Sequence, residues 1–315
     1  MEVKSEITQI ESSSADGELY VSTATELYSF KPDGSDLRRI LSSPEGLDQF
    51  AVSPSSKQLV YLSEGEFYIC NKEGNATKKI SVEGENVLNA SSFSLFPSEE
   101  KIVFVGESAE PVFAGDEIST FRICVLDLKT EKASLLSKAF YSTIPKLMGW
   151  RDEDILILNE DSGDCLLLST KSHSEQPLTL SYPSIHKDGV VESAAVSQDG
   201  KHVAFSVSYP IDRSQIFIKE DWKSRMIFEL EGEGGLRRAL LWSPNSQWIS
   251  YINSWFSSRT LYLIPATSEK PEALEASYLG LNSKLAWLPK GDGLAYSDGK
   301  EIHILKSPDL ISKKA

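Results

Sequence analysis

The chain has 315 residues, 40% of them hydrophobic and 25% charged, an ordinary globular composition with ample apolar material for a core. Its 32 lysines and arginines stand against 46 aspartates and glutamates, a formal net charge of −14 that disfavours nucleic acid and anionic membrane surfaces as partners. No run approaches the roughly 20 apolar residues of a membrane span, and Met1 to Ile7 lacks a basic segment followed by an apolar one.

Strand-like segments begin at once. Ile7-Thr8-Gln9-Ile10-Glu11 leads through Ala15-Asp16-Gly17 to Leu19-Tyr20-Val21, then to Leu27-Tyr28-Ser29-Phe30 and the turn Pro32-Asp33-Gly34-Ser35. The same unit follows in its clearest form, from Phe50-Ala51-Val52-Ser53-Pro54 through Leu59-Val60-Tyr61 and Phe67-Tyr68-Ile69-Cys70 to the turn Asn71-Lys72-Glu73-Gly74. A third copy starts at Phe93-Ser94-Leu95-Phe96-Pro97. A degenerate fourth, Leu147-Met148-Gly149-Trp150-Arg151-Asp152, has Arg-Asp in place of Ser-Pro. Ala195-Val196-Ser197-Gln198-Asp199-Gly200, Leu241-Trp242-Ser243-Pro244-Asn245 and Ala286-Trp287-Leu288-Pro289-Lys290-Gly291 complete the series.

Corners at 53, 97, 151, 197, 243 and 288 recur at intervals of 44, 54, 46, 46 and 45 residues, the length of a propeller blade. The long interval contains an insertion, Glu107 to Ser119. A four-stranded sheet cannot dry both faces alone, and radial packing against neighbours solves that problem. The sequence therefore predicts an all-β chain forming a single β-propeller of seven four-stranded blades, with six or eight still open. The blades fall near 1–43, 46–82, 87–138, 143–181, 190–231, 236–276 and 281–315. Little chain is left after Ile304 for a fourth strand, so closure could borrow an amino-terminal strand.

Ser53-Pro54-Ser55-Ser56-Lys57-Gln58-Leu59-Val60-Tyr61 resembles the Ser-Pro-Asp-Gly-Lys signature of TolB-like, WD-repeat-like propellers, as do Ala195 to Phe205 and Leu241 to Tyr251. The resemblance covers nearly the whole chain and implies a fold rather than an activity. Bacterial TolB adds an amino-terminal domain and has six blades, whereas this chain shows seven units. The compartment is open: periplasm or cell envelope if a leader was removed, otherwise cytoplasm.

Chemistry is hard to find. There is no Gly-x-Ser-x-Gly elbow and no phosphate-cradling glycine loop, and His173, His186, His202 and His303 belong to different units. Cys70, Cys124 and Cys165 fall in strands and read as core thiols; no CxxC or histidine cluster indicates zinc. Asn159-Glu160-Asp161-Ser162-Gly163-Asp164 is oxygen-rich but does not match a calcium loop and reads as a solvated turn. Asn75 and Asn89 head glycan sequons, relevant only to a secreted eukaryotic protein. No catalytic residue, metal or cofactor is expected.

Loops on one rim carry residue types that dominate interfaces: Phe113, Tyr182, His186, Tyr209, Arg213, Trp255, Phe256 and Arg259. The expectation is a monomeric, non-enzymatic interaction scaffold presenting them to a protein or peptide. Packing of Tyr209 and Trp255 over blade edges is the competing reading. The alternative function is a ligand-binding or enzymatic propeller with its site at the central channel mouth, or the propeller part of a larger protein.

Overall fold

The structure is a computed structural model that describes residues 3–82, 87–108, 120–141, 144–159, 162–180, 189–209, 213–221, 223–231, 239–255, 258–267, 274–279 and 283–306. It is all-β, and its antiparallel sheets form the seven blades of a propeller. The innermost strands are Ile7–Ser12, Gln49–Val52, Val87–Leu95, Lys146–Arg151, Val190–Val196, Ala239–Trp242 and Leu285–Trp287. Each packs against the inner strand of the next blade, and Leu285–Trp287 meets Ile7–Ser12 to complete the ring.

The second blade shows why these residues make a blade. Gln49–Val52, Gln58–Ser63, Glu66–Asn71 and Lys78–Ile80 pair in sequence order. Leu59, Phe67 and Ile80 are buried, but so are Val60 and Leu62 beside Leu59 and Tyr61. The middle strand is apolar on both faces because a blade is sandwiched between two others. Tyr61 and Leu59 pack towards the first blade, with Tyr20 and Leu27, while Val60 and Leu62 pack towards the third, with Phe93 and Phe104.

The serine of the repeated corner has a specific task. The Ser53, Ser197 and Ser243 hydroxyls accept the amides of Gln58, His202 and Trp248 at 3.2, 2.9 and 2.9 Å. In the same three turns Ser56, Gly200 and Ser246 adopt positive φ and donate their amides to the serine carbonyl. Asp199 and Asn245 brace the serine hydroxyls at 2.6 and 2.7 Å. The motif is thus a self-contained turn in which a short polar side chain replaces missing backbone partners.

Four expectations change in detail. In the third blade the turn residue equivalent to Ser53 is Phe96 rather than Pro97, since Phe96 exchanges backbone bonds with Lys101 and Glu99. In the fourth, Arg151 pairs with Asp154 across a tighter hairpin, which explains the lost Ser-Pro. The third blade gains a two-residue strand, Phe140–Tyr141, that continues its outer edge. Closure does not borrow the amino-terminal strand. Ile7–Ser12 is the inner strand of the first blade, and among the described residues the last blade has three strands. The chain start instead bonds to the last hairpin, Val3 N–H to Lys300 O at 2.9 Å and Ile7 N–H to Gly299 O at 3.0 Å.

Candidate ligand site at the central channel

An inner strand has one free edge, and its backbone groups there need partners. Gln9 supplies them to the second blade. Its amide nitrogen donates to Phe50 O at 2.9 Å and its amide oxygen accepts Phe50 N–H at 3.1 Å. Gln49 does the same one blade further on, to Phe93 O at 2.8 Å and from Phe93 N–H at 2.9 Å. Both glutamines stand four residues before a corner serine, Ser13 and Ser53. The Gln-x-x-x-Ser spacing was readable in the sequence, but nothing there says that an amide will bridge two blades.

Glu11 lies beside Gln9 on the same wall. Its carboxylate accepts Val52 N–H at 3.1 Å and the second amide hydrogen of Gln9 at 2.7 Å. Both bonds favour the ionised form, yet enclosure by protein outweighs them and raises its pKa to about 7. No basic side chain pairs with it among the described residues. The residue keeps intermediate solvent access, as a group on the wall of a narrow channel does. Such a carboxyl can take up or release a proton near neutrality.

The other side of the ring is lined differently. Trp150, Trp242 and Trp287 sit at the ends of inner strands or one residue from them and reach back to the preceding blade. Their indole N–H groups donate to Ser94 Oγ at 2.9 Å, Ala195 O at 3.0 Å and Leu241 O at 3.2 Å.

Only part of the expected rim lies in the described structure. Phe113, Tyr182, His186 and Phe256 lie outside the described residues. Tyr209 and Arg213 face each other across one hairpin, and Trp255 and Arg259 fall at the tip of the corresponding hairpin of the next blade. Tyr209 is only 5% exposed, packed with Leu156, Val191 and Phe205, and its hydroxyl donates to Gln215 at 3.0 Å. Packing therefore claims Tyr209, and it offers no surface to a partner. Arg213 is paired with Glu229 at 2.8 Å.

The cysteines are buried and free, with burial raising Cys70 to about 11 and Cys165 to about 12, so both stay thiols at neutral pH. His173 contacts Leu135 O at 3.2 Å, His202 lies between Asp199 and Glu220, and His303 stacks on Tyr296. Among the described residues no three His, Cys, Asp or Glu side chains converge as a metal site would require.

Fold and channel together define a seven-bladed propeller of the TolB-like kind. No family model matches the sequence, and no curated protein does. Solved structures do match. A putative TolB from Agrobacterium tumefaciens aligns with TM-score 0.57 and 16% identity over 90% of this chain and 99% of its own. The oligogalacturonate lyase of Vibrio parahaemolyticus aligns with TM-score 0.70 and 9% identity, over 96% of this chain and 89% of its own. An oligogalacturonate lyase structure in complex with manganese aligns equally well. Hydrazine synthase of Kuenenia stuttgartiensis aligns with TM-score 0.61 and 9% identity over 97% of both chains.

These likenesses correct the expectation of a non-enzymatic scaffold. The same propeller serves as the body of enzymes, so the lack of a familiar catalytic motif in the sequence does not point to a scaffold.

Proposed function

We propose that this chain is a ligand-binding propeller of the enzyme-bearing kind, with its site at the mouth of the central channel. The observation that carries the reading is Glu11: a carboxyl on the channel wall, titrating near neutrality, held by Gln9 and Val52 and opposed by no cation among the described residues. In the proposed role Glu11 exchanges a proton with the ligand or hydrogen-bonds to it, while Gln9 and Gln49 fix the wall that positions it. Likeness to a sugar-acid lyase supports testing uronate oligosaccharides first, and likeness to TolB is compatible with a periplasmic setting.

The test is a thermal-shift and calorimetric screen of oligogalacturonates and neutral oligosaccharides, with and without manganese, on wild-type and Glu11→Gln protein. The reading expects a ligand whose binding or turnover depends on pH around 7 in the wild type and loses that dependence in Glu11→Gln. A ligand bound and processed identically by both proteins would place the site elsewhere.

A further inference from the structure

A cavity lies where the fourth and fifth blades meet, beside the start of the fifth blade's inner strand. It encloses about 540 Å³, within the usual range for small-molecule sites. Local geometry makes it. The hairpin joining Asp154–Asn159 to Asp164–Ser169 leans on the inner strand of the fifth blade, and only glycine fits at its tip. Gly163 has φ +69°, and a Cβ there would come within 3.1 Å of Val191 N. On the other side, the outer strand Glu175–Pro177 ends at a proline. Leu178 makes one more backbone bond, to Cys165 O at 2.8 Å, and the chain then leaves the sheet. The cleft opens between these two departures.

Its lining is divided. Leu166, Leu178, Leu180 and Val190 form an apolar wall, and Val190 is 44% exposed although it is a large aliphatic residue. Asn159, Ser162 and Asp164 form the polar side. Among the described residues of the lining Asp164 is the one that carries charge. Its amide donates to Ser162 Oγ at 3.3 Å, but no described side chain bonds to or pairs with its carboxylate. That carboxylate is close enough to Cys165 to help keep the thiol protonated, after burial itself.

A carboxylate that no described cation pairs, standing over an aliphatic wall, repels acids and favours a cation with an apolar body. We propose that the cleft between the fourth and fifth blades binds a small aliphatic amine, with its ammonium on Asp164 and its chain against Leu166, Leu180 and Val190. Its lining includes none of Gln9, Glu11 and Gln49, and its charge disfavours the uronates suggested above for the channel.

The experiment uses the whole chain and three matched probes: n-hexylammonium, hexanol and hexanoate. Binding is followed by calorimetry and by amide NMR shifts. Hexylammonium is expected to bind with a dissociation constant of about a millimolar, reasonable for a ligand this small. Shifts should centre on Asn159, Ser162–Leu166 and Val190–Val191. Asp164→Asn should weaken it about three- to tenfold, as loss of a partly exposed charged contact would. Val190→Trp, which fills the cleft from an exposed position, should abolish it, and Glu11→Gln should leave it unchanged. Circular dichroism and thermal melting confirm that each variant folds. Equal binding of hexanoate, an unchanged affinity in Asp164→Asn, or loss in Glu11→Gln instead would each overturn the proposal. The last would move the amine to the channel.

Discussion

From the first blade to the third, carboxamides close the free edge of the next inner strand, whereas in the fourth, sixth and seventh blades indoles reach back to the preceding one. Gln9 and Gln49 each satisfy two backbone groups, and Glu11 satisfies a third. Trp150, Trp242 and Trp287 each make one hydrogen bond and spend the rest of their surface on packing. The two halves solve the same problem, adhesion of neighbouring wedges at the axis, with opposite balances of polar and apolar contact. The polar half leaves a titratable group beside the channel, and that is where a ligand site can be built.

The comparison makes graded predictions. The largest effect belongs to the apolar half. Trp287→Ala should lower unfolding free energy by about 3–5 kcal/mol, the usual loss for a buried aromatic, because Trp287 is 5% exposed and packs with Leu263 and Leu294. Urea denaturation measures it. In the polar half, Gln49→Ala strands Phe93 N–H and C=O but leaves them near the channel, where water can partly replace the amide. A loss of about 1–3 kcal/mol is expected. If Gln49→Ala costs as much as Trp287→Ala, the distinction between the halves fails.

Glu11 sharpens the contrast through pH. Its pKa is raised from 4.5 to about 7, so the native state binds the proton more tightly than the unfolded chain does. Its favourable contribution is therefore complete below about pH 4.5 and is lost as pH rises through 7. Between pH 5 and 8 the wild type should lose about 1–2 kcal/mol more stability than Glu11→Gln, the full shift being discounted for partial solvent access. Parallel slopes for the two proteins, measured by urea titration at each pH, would remove Glu11 from the account. The smallest change is Trp150→Phe. It retains an edge-to-face contact with Phe96, now at 4.8 Å, and loses only the bond to Ser94, for about 0.5–1.5 kcal/mol. A cost near that of Trp287→Ala would show that the hydrogen bond, not packing, holds this half together.

Much of the fold was legible because each blade is a local object. Ser53, Ser197 and Ser243 close turns with partners five residues away, so the motif that announces a corner also makes it. The count of blades follows from the same spacing. For Tyr209 the sequence left surface and packing both open, because its hairpin position is visible there while the neighbouring blade that buries its ring is not. The candidate site was less legible still. Gln9 finds its partner 41 residues away and Gln49 finds its own 44 away, one blade on in each case.

The sequence by itself determined the repeating unit, its turns and the apolar character of the middle strands, since short-range hydrogen bonding and alternation act within one blade. Only the tertiary structure decided which polar residues meet at the axis, how the ring closes at Gly299 and Lys300, and where a cleft opens between blades. Those outcomes depend on juxtaposing segments a full blade apart, where burial and the loss of water, rather than local spacing, set the chemistry of a residue such as Glu11.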